Sequence, residues 1–171
     1  AQMERLGINA VTLPFEATDN GAVQSIADAK LYAEHFAANR DKFDGLVICL
    51  PNFGDEIAVA ELVSRAKLDV PILLQACNDE IDKVDVHSRR DAFCGKLSVC
   101  NNLYQFGIPF TDTTYHTCPI NSDEFTSDLD YFVRVCRVVK GLTNLRVGAI
   151  GARPAPFHTC RYSEKLLQDT G

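Results

Sequence analysis

The sequence predicts an α/β fold: a Rossmann-like (flavodoxin-like) open parallel sheet flanked by helices, with the start of a second α/β domain at its end. Three observations carry this. Residues 46–50 (LVICL) and 70–75 (VPILLQ) are apolar runs too short for helices and bounded by turn residues. Segments with apolar residues at helical spacing lie between such runs, and each run stops abruptly in a polar loop. Strands alternating with amphipathic helices pair in parallel through right-handed crossovers.

Residues 1–6 (AQMERL) read as the tail of a helix with Gly7 in the C-cap position. Residues 8–13 (INAVTL) follow as a short strand ended by Pro14. A helix over 22–39 sets Val23, Ile26, Ala29, Ala33, Phe36 and Ala37 at helical spacing. Residues 46–50 are the central strand, buried on both faces. Pro51-Asn52-Phe53-Gly54 interrupts it, and Asp55 and Glu56 give the next helix the acidic first turn its dipole favours. Residues 70–75 form another buried strand, and residues 76–90 are polar without clear period.

A helix from Asp91 to Gln105 places Phe93, Leu97, Cys100, Leu103 and Tyr104 on one face and closes at Gly107. Residues 108–114 (IPFTDTT) read as a further strand. Asn121 and Glu124 form a capping box for a long helix through Phe125, Leu129, Phe132, Val133, Cys136 and Val139, stopped by Gly141. Residues 145–150 alternate like a new strand and lead through ARPAPFHTC to a helix capped by Ser163. The expected boundary divides an amino-terminal α/β domain, 1–144, from the beginning of a second, 145–171. Opening on a helix tail and ending just inside a helix read as marks of a fragment of a larger polypeptide.

With 171 residues, 46% of them apolar, the chain has material for a packed core. No run approaches the ~20 apolar residues that span a bilayer, and the amino terminus lacks a signal-like segment. Net charge is −6 with scattered Lys and Arg, which argues against nucleic acid as a partner. Seven cysteines, an odd number without a CxxC, suggest neither a disulfide framework nor a zinc ribbon, and fit a reduced, cytoplasmic setting. Cys49, Cys100 and Cys136 sit in apolar runs, where Cys acts as a small buried hydrophobe.

Four polar groups could carry chemistry. Asn52 and Phe53 follow the central strand, where open parallel sheets meet their ligands. Asp91, Lys96, Asn101 and Asn102 share a helix whose Asn pair is locally unfavourable, as happens at functional sites. Arg153, His158, Cys160 and Arg161 follow the last strand in a loop stiffened by Pro154 and Pro156, and Arg153 could hold a hydroxyl or an anion. His-Thr-Cys occurs twice, at 116–118 and 158–160; on extended backbone the His and Cys share a face, but the spacing is not that of a zinc site.

FDGLVICLPNFGDE, VPILLQ, DAFCGKLSVCNNLYQFGIPF and LRVGAIGARPAPFHTCRYSEK together resemble, in order and over nearly the whole chain, the amino-terminal part of the L-fucose isomerase and L-arabinose isomerase superfamily. The resemblance implies a cytoplasmic, Mn²⁺-dependent aldose–ketose isomerase assembled as a homo-oligomer, a trimer or hexamer, acting on a small-molecule sugar. It implies that metal ligands and catalytic carboxylates belong to later domains, so no catalytic or metal residue is expected here and the fragment alone is expected to be inactive. The first domain in this superfamily covers the active site of a neighbouring subunit. Phe53 corresponds to an aromatic sugar contact, with Asn52 beside it, Asn101 and Asn102 fall near a substrate-facing segment, and Arg153, Pro154 and His158 fall where the second domain reaches the pocket. The family's first strand and most of its first helix have no counterpart, and the loop lacks the tryptophan of the fucose branch.

Two other readings use the same loops. A non-catalytic sugar-binding domain shares the sheet; a basic DNA-binding helix upstream would favour it as a repressor. A regulatory flavodoxin-like domain needs clustered acids after its first strand, and residues 8–20 do not supply them.

Overall fold

A computed structural model describes residues 2–143, 145–148, 150–151, 155–157 and 162–170. In chain order the elements are α1 (Gln2–Arg5), α2 (Ile26–Ala38), β1 (Leu46–Leu50), α3 (Glu56–Ala66), β2 (Ile72–Ala76), α4 (Ala92–Gln105), β3 (Thr111–Asp112), α5 (Asp123–Thr143) and α6 (Glu164–Thr170). The strands form one parallel sheet in the order β1-β2-β3, so the α/β class holds.

The centre of the sheet is β2, buried at all five residues. Its side chains alternate between two cores. Leu50 of β1 with Ile72, Leu74 and Ala76 packs against Val59 and Ala60 of α3 and Val99 and Leu103 of α4. On the other face Leu73 meets Phe125, Leu129, Phe132 and Cys136 of α5, with Met3 and Val47 at the margin. Outside α3, α2 lays Ala29, Tyr32, Ala33 and Phe36 on Ala58, Leu62 and Ala66. Leu73, Leu74, Leu103 and Leu129 are fully buried, and each contributes about 2 kcal/mol of transfer free energy. Gly45 lets α5 approach: a β-carbon there would lie 2.5 Å from Cys136 Sγ.

Residues 8–13 depart from expectation. They are not a strand, and Asn9, Ala10, Val11 and Thr12 are exposed. β-Branched alternation gives a segment the shape for a strand, but the ladder needs a partner backbone, and a groove of about 430 Å³, lined by Ile8, Ala10, Cys49, Phe125 and Leu129, separates this stretch from β1. Consequently β1 is an edge strand rather than the centre, with Cys49 exposed and only Leu50 fully buried. The Leu46 N–H donates to the Pro71 carbonyl (2.9 Å) and the Cys77 N–H to the Leu50 carbonyl (3.0 Å). That alternation turns the backbone groups of Val47 and Cys49 off the sheet.

The helices differ in detail. Instead of starting at 22, α2 starts at Ile26, where Ser25 accepts from the Asp28 N–H (3.1 Å). The cap of α5 is Ser122, not Asn121: Ser122 Oγ accepts from the Phe125 N–H (3.1 Å). Nor does Gly141 stop α5, which continues to Thr143; one exposed helical glycine costs about 1 kcal/mol, too little to end a long helix. The face α4 buries is Ala92, Gly95, Lys96, Val99 and Leu103, while Phe93, Leu97 and Tyr104 are exposed. Only Thr111–Asp112 of 108–114 is strand, because Pro109 lacks a donor and the Asp112 carboxylate takes the Thr113 N–H (2.9 Å). Residues 145–148 form no strand, whereas Ser163 does cap α6 through the Leu166 N–H (3.3 Å). Among the described residues no helix is long and apolar enough to cross a membrane.

Candidate functional site

The loops after β1, β2 and β3 meet around the first turns of α4, at the carboxyl ends of the strands. The loop after β1 is held by backbone. The Phe53 N–H donates to the Arg90 carbonyl (2.9 Å), and a β-carbon at Gly95 would stand 2.2 Å from the Phe53 carbonyl oxygen. The Phe53 side of the loop is therefore seated on α4, and Phe53 as a residue remains 41% exposed. Asn52 is exposed beside it.

The loop after β2 supplies the cap of α4. Asp91 is left-handed (φ 54°) and makes no side-chain cap; instead the Asp79 carboxylate accepts from the Ala92 N–H (2.8 Å) and the Phe93 N–H (3.3 Å). Two free N–H groups and the positive end of the helix dipole are thus satisfied from thirteen residues upstream. Glu80 in the same loop pairs with Lys83 and with Arg90 (3.1 Å), and the Lys83 hydrogen bond holds its carboxyl below the ordinary value. Arg89 pairs with Asp91 (2.9 Å).

The loop after β3 is anchored by a buried lysine. Lys96, 1% exposed, donates to Thr113 Oγ1 (2.8 Å) and to the His116 carbonyl (2.9 Å), and pairs with the Asp112 carboxylate. All three ammonium hydrogens have acceptors, which is what a buried charge requires. Asp112 Oδ2 also lies 3.6 Å from His116 Nδ1, and the His116 ring stands edge-on to Phe93 at 5.6 Å. This end of the sheet thus carries the exposed residues Phe53, Phe93 and His116 beside internally paired charges. Such a surface can take the C–H face of a polar ligand and hydrogen-bond its hydroxyls.

Of the residues expected from sequence, Phe53, Asn52, Asp91 and Lys96 come together here. Asn101 and Asn102 do not reach the same place. They lie six and seven residues beyond Gly95 on α4, about 9–10 Å further along its axis, and the Asn102 amide donates to the Ser98 carbonyl (3.0 Å). Arg153, Pro154, His158, Cys160 and Arg161 lie outside the described residues. His116 and Cys118 do not share a face: His116 is exposed against Phe93, while Cys118 is buried with Leu73 and Phe125. Among the described residues no three His, Cys, Asp or Glu side chains are grouped to hold a metal ion.

Sequence reasoning missed Asp79, Arg90, Asp112 and Thr113 and gave His116 only a metal reading. A signal for Lys96 existed: Ala92, Lys96, Val99 and Leu103 recur at 4-3-4 spacing, which sets the lysine on the buried stripe. The family model for the fucose/sulfoquinovose isomerase N-terminal domain matches residues 1–143. No curated protein and no solved structure matches the chain.

Proposed function

The chain belongs to the fucose/sulfoquinovose isomerase N-terminal domain family, and from that premise we propose that it is the substrate-covering region of a metal-dependent aldose–ketose isomerase. In this reading it serves a cytoplasmic homo-oligomer, trimer or hexamer, and lends sugar contacts to the active site of a neighbouring subunit. Residues 1–144 act as that covering domain and 145–171 open the next. Phe53 stacks on the sugar's C–H face and Asn52 binds a hydroxyl, while Arg153, Pro154 and His158 contribute further contacts and Asn101 and Asn102, further along α4, meet the substrate away from the Phe53 loop. In this reading the Mn²⁺ and the catalytic bases come from other domains, and no chemical step is routed through this one.

The observation that supports this reading best is the seating of Phe53. Its backbone is fixed by Arg90 and Gly95 while the residue stays exposed at the carboxyl end of β1. An aromatic side chain held on rigid backbone and left facing solvent suits ligand contact better than packing.

The test is turnover of a panel of aldoses and ketoses by the full-length protein with added Mn²⁺, comparing wild type with Phe53→Ala. Metal-dependent isomerisation with kcat/KM lowered about fivefold, the worth of about 1 kcal/mol of aromatic contact, is the expected result. Activity indifferent to Phe53 overturns the contact, and sugar binding without turnover overturns the enzymatic role.

A further inference from the structure

We infer that Cys77 and Cys118, brought side by side where the loop after β3 returns to the end of β2, are a dithiol that oxidises to an intramolecular disulfide. The backbone sets the register. The Cys118 N–H donates to the Ala76 carbonyl (2.9 Å), the same one-residue offset by which the Leu46 N–H on the Pro71 carbonyl sets Leu46 beside Ile72. In parallel pairing that offset places Cys118 beside Cys77, at the strand spacing of about 4.8 Å, inside the Cα range a disulfide spans.

The burial of Cys118 and the alternation of β2 point to the same face. Cys118 packs with Leu73 on the α5 side of the sheet, and Leu73, Gln75 and Cys77 alternate onto that side. Gln75, fully buried, bridges the two: its Nε2 donates to the Cys118 carbonyl (2.7 Å) and lies 3.8 Å from Cys77 Sγ. Its Oε1 has no partner, so the wall around the thiols is polar and not fully satisfied. Both cysteines are free as described, Cys77 half-buried and Cys118 buried.

The two differ in access, which orders the chemistry. A small disulfide such as oxidised glutathione meets Cys77 first; the Cys77 thiolate attacks one of its sulfurs, forms a mixed disulfide and releases one glutathione thiolate. Cys118 then loses its proton to solvent, attacks the Cys77 sulfur and releases the second glutathione. In sum two protein thiols and one glutathione disulfide become one protein disulfide and two glutathione thiols. Burial pushes the Cys118 thiol up, with Asp128 adding to the effect, so the second step quickens at alkaline pH. The bond ties the segment carrying His116 to the end of β2.

The test treats the 171-residue chain with a graded ratio of oxidised to reduced glutathione and maps every cysteine by mass spectrometry. The expected product is a Cys77–Cys118 disulfide without retained glutathione at Cys77, while exposed Cys94 takes glutathione and keeps it. In Cys118→Ala, a small buried substitution, the Cys77 adduct should accumulate at least about tenfold over wild type, because nothing resolves it; in Cys77→Ser, Cys118 should stay reduced. Glutathione retained at Cys77 of the folded wild-type chain, or a disulfide from either cysteine to Cys49, overturns the inference. Circular dichroism of both variants separates a lost partner from a lost fold.

Discussion

The carbonyl oxygen of Phe53 lies against the α-carbon face of Gly95: a β-carbon built there would stand 2.2 Å from that oxygen and 2.7 Å from Phe53 Cα. Two backbones in such contact cannot make room by turning a side chain.

Gly95→Ala is therefore expected to destabilise the chain by about 1–3 kcal/mol despite alanine's better helix propensity, because the clash exceeds the roughly 1 kcal/mol that propensity returns. Gly141→Ala is the control. It lies in α5 with open space around the new methyl, and should stabilise by about 1 kcal/mol. Urea midpoints of the two variants should move in opposite directions.

Lys96 and Asp112 are unequal partners. Lys96 is buried at 1% exposure, whereas the Asp112 side chain is 36% exposed and can rehydrate. Asp112→Ala leaves a buried ammonium with only neutral acceptors and should cost about 3 kcal/mol, while Lys96→Met, close in shape, should cost about half that. Equal losses in denaturant titration would contradict the burial asymmetry.

The cap of α5 gives a sharper comparison. Ser122→Ala removes the acceptor of the Phe125 N–H and should cost about 1 kcal/mol. Asn121→Ala, one residue earlier, should fall within about 0.5 kcal/mol of wild type by thermal unfolding.

Alkaline stability should follow Cys136. Burial, then the nearby Asp44 carboxylate, pushes its thiol up to about 11 from an ordinary 9.0. The folded chain thus holds this proton more tightly than the unfolded one, so the contribution is complete below pH 9 and lost as pH rises toward 11. Denaturation free energies at either end of that window should differ less in Cys136→Ala than in wild type. A wild-type difference no larger than the variant's would contradict the raised thiol.

Much of this architecture is legible in the sequence because strands, helices and their order follow from local period. Apolar runs mark β1 and β2, and helical spacing marks α3 and α5, although the cap of α5 is Ser122 rather than Asn121. What period cannot supply is a partner. Residues 8–13 have the alternation of a strand but stand off from the free edge of β1 across a groove. On α4 the residues Phe93, Leu97 and Tyr104 look like core in the sequence, whereas the buried face includes a glycine and a lysine, Gly95 and Lys96, set by contacts with Phe53 and Asp112 in other loops. In the candidate site the position of Phe53 follows from its place just past the carboxyl end of an apolar run, β1. The Asp79 cap and the Asp112–His116 contact are not legible, since both depend on loops whose paths the sequence leaves open.

The edge strand β1 has a colloidal consequence. Val47 and Cys49 direct backbone donors and acceptors outward, and LVICL contains neither a charge nor a proline to discourage another strand from adding there. The edge is open to pairing with a second copy, and such pairing is expected to grow with concentration. Light scattering or sedimentation of this chain is expected to report such edge-to-edge pairing, and a charged substitution at Val47 is expected to suppress it.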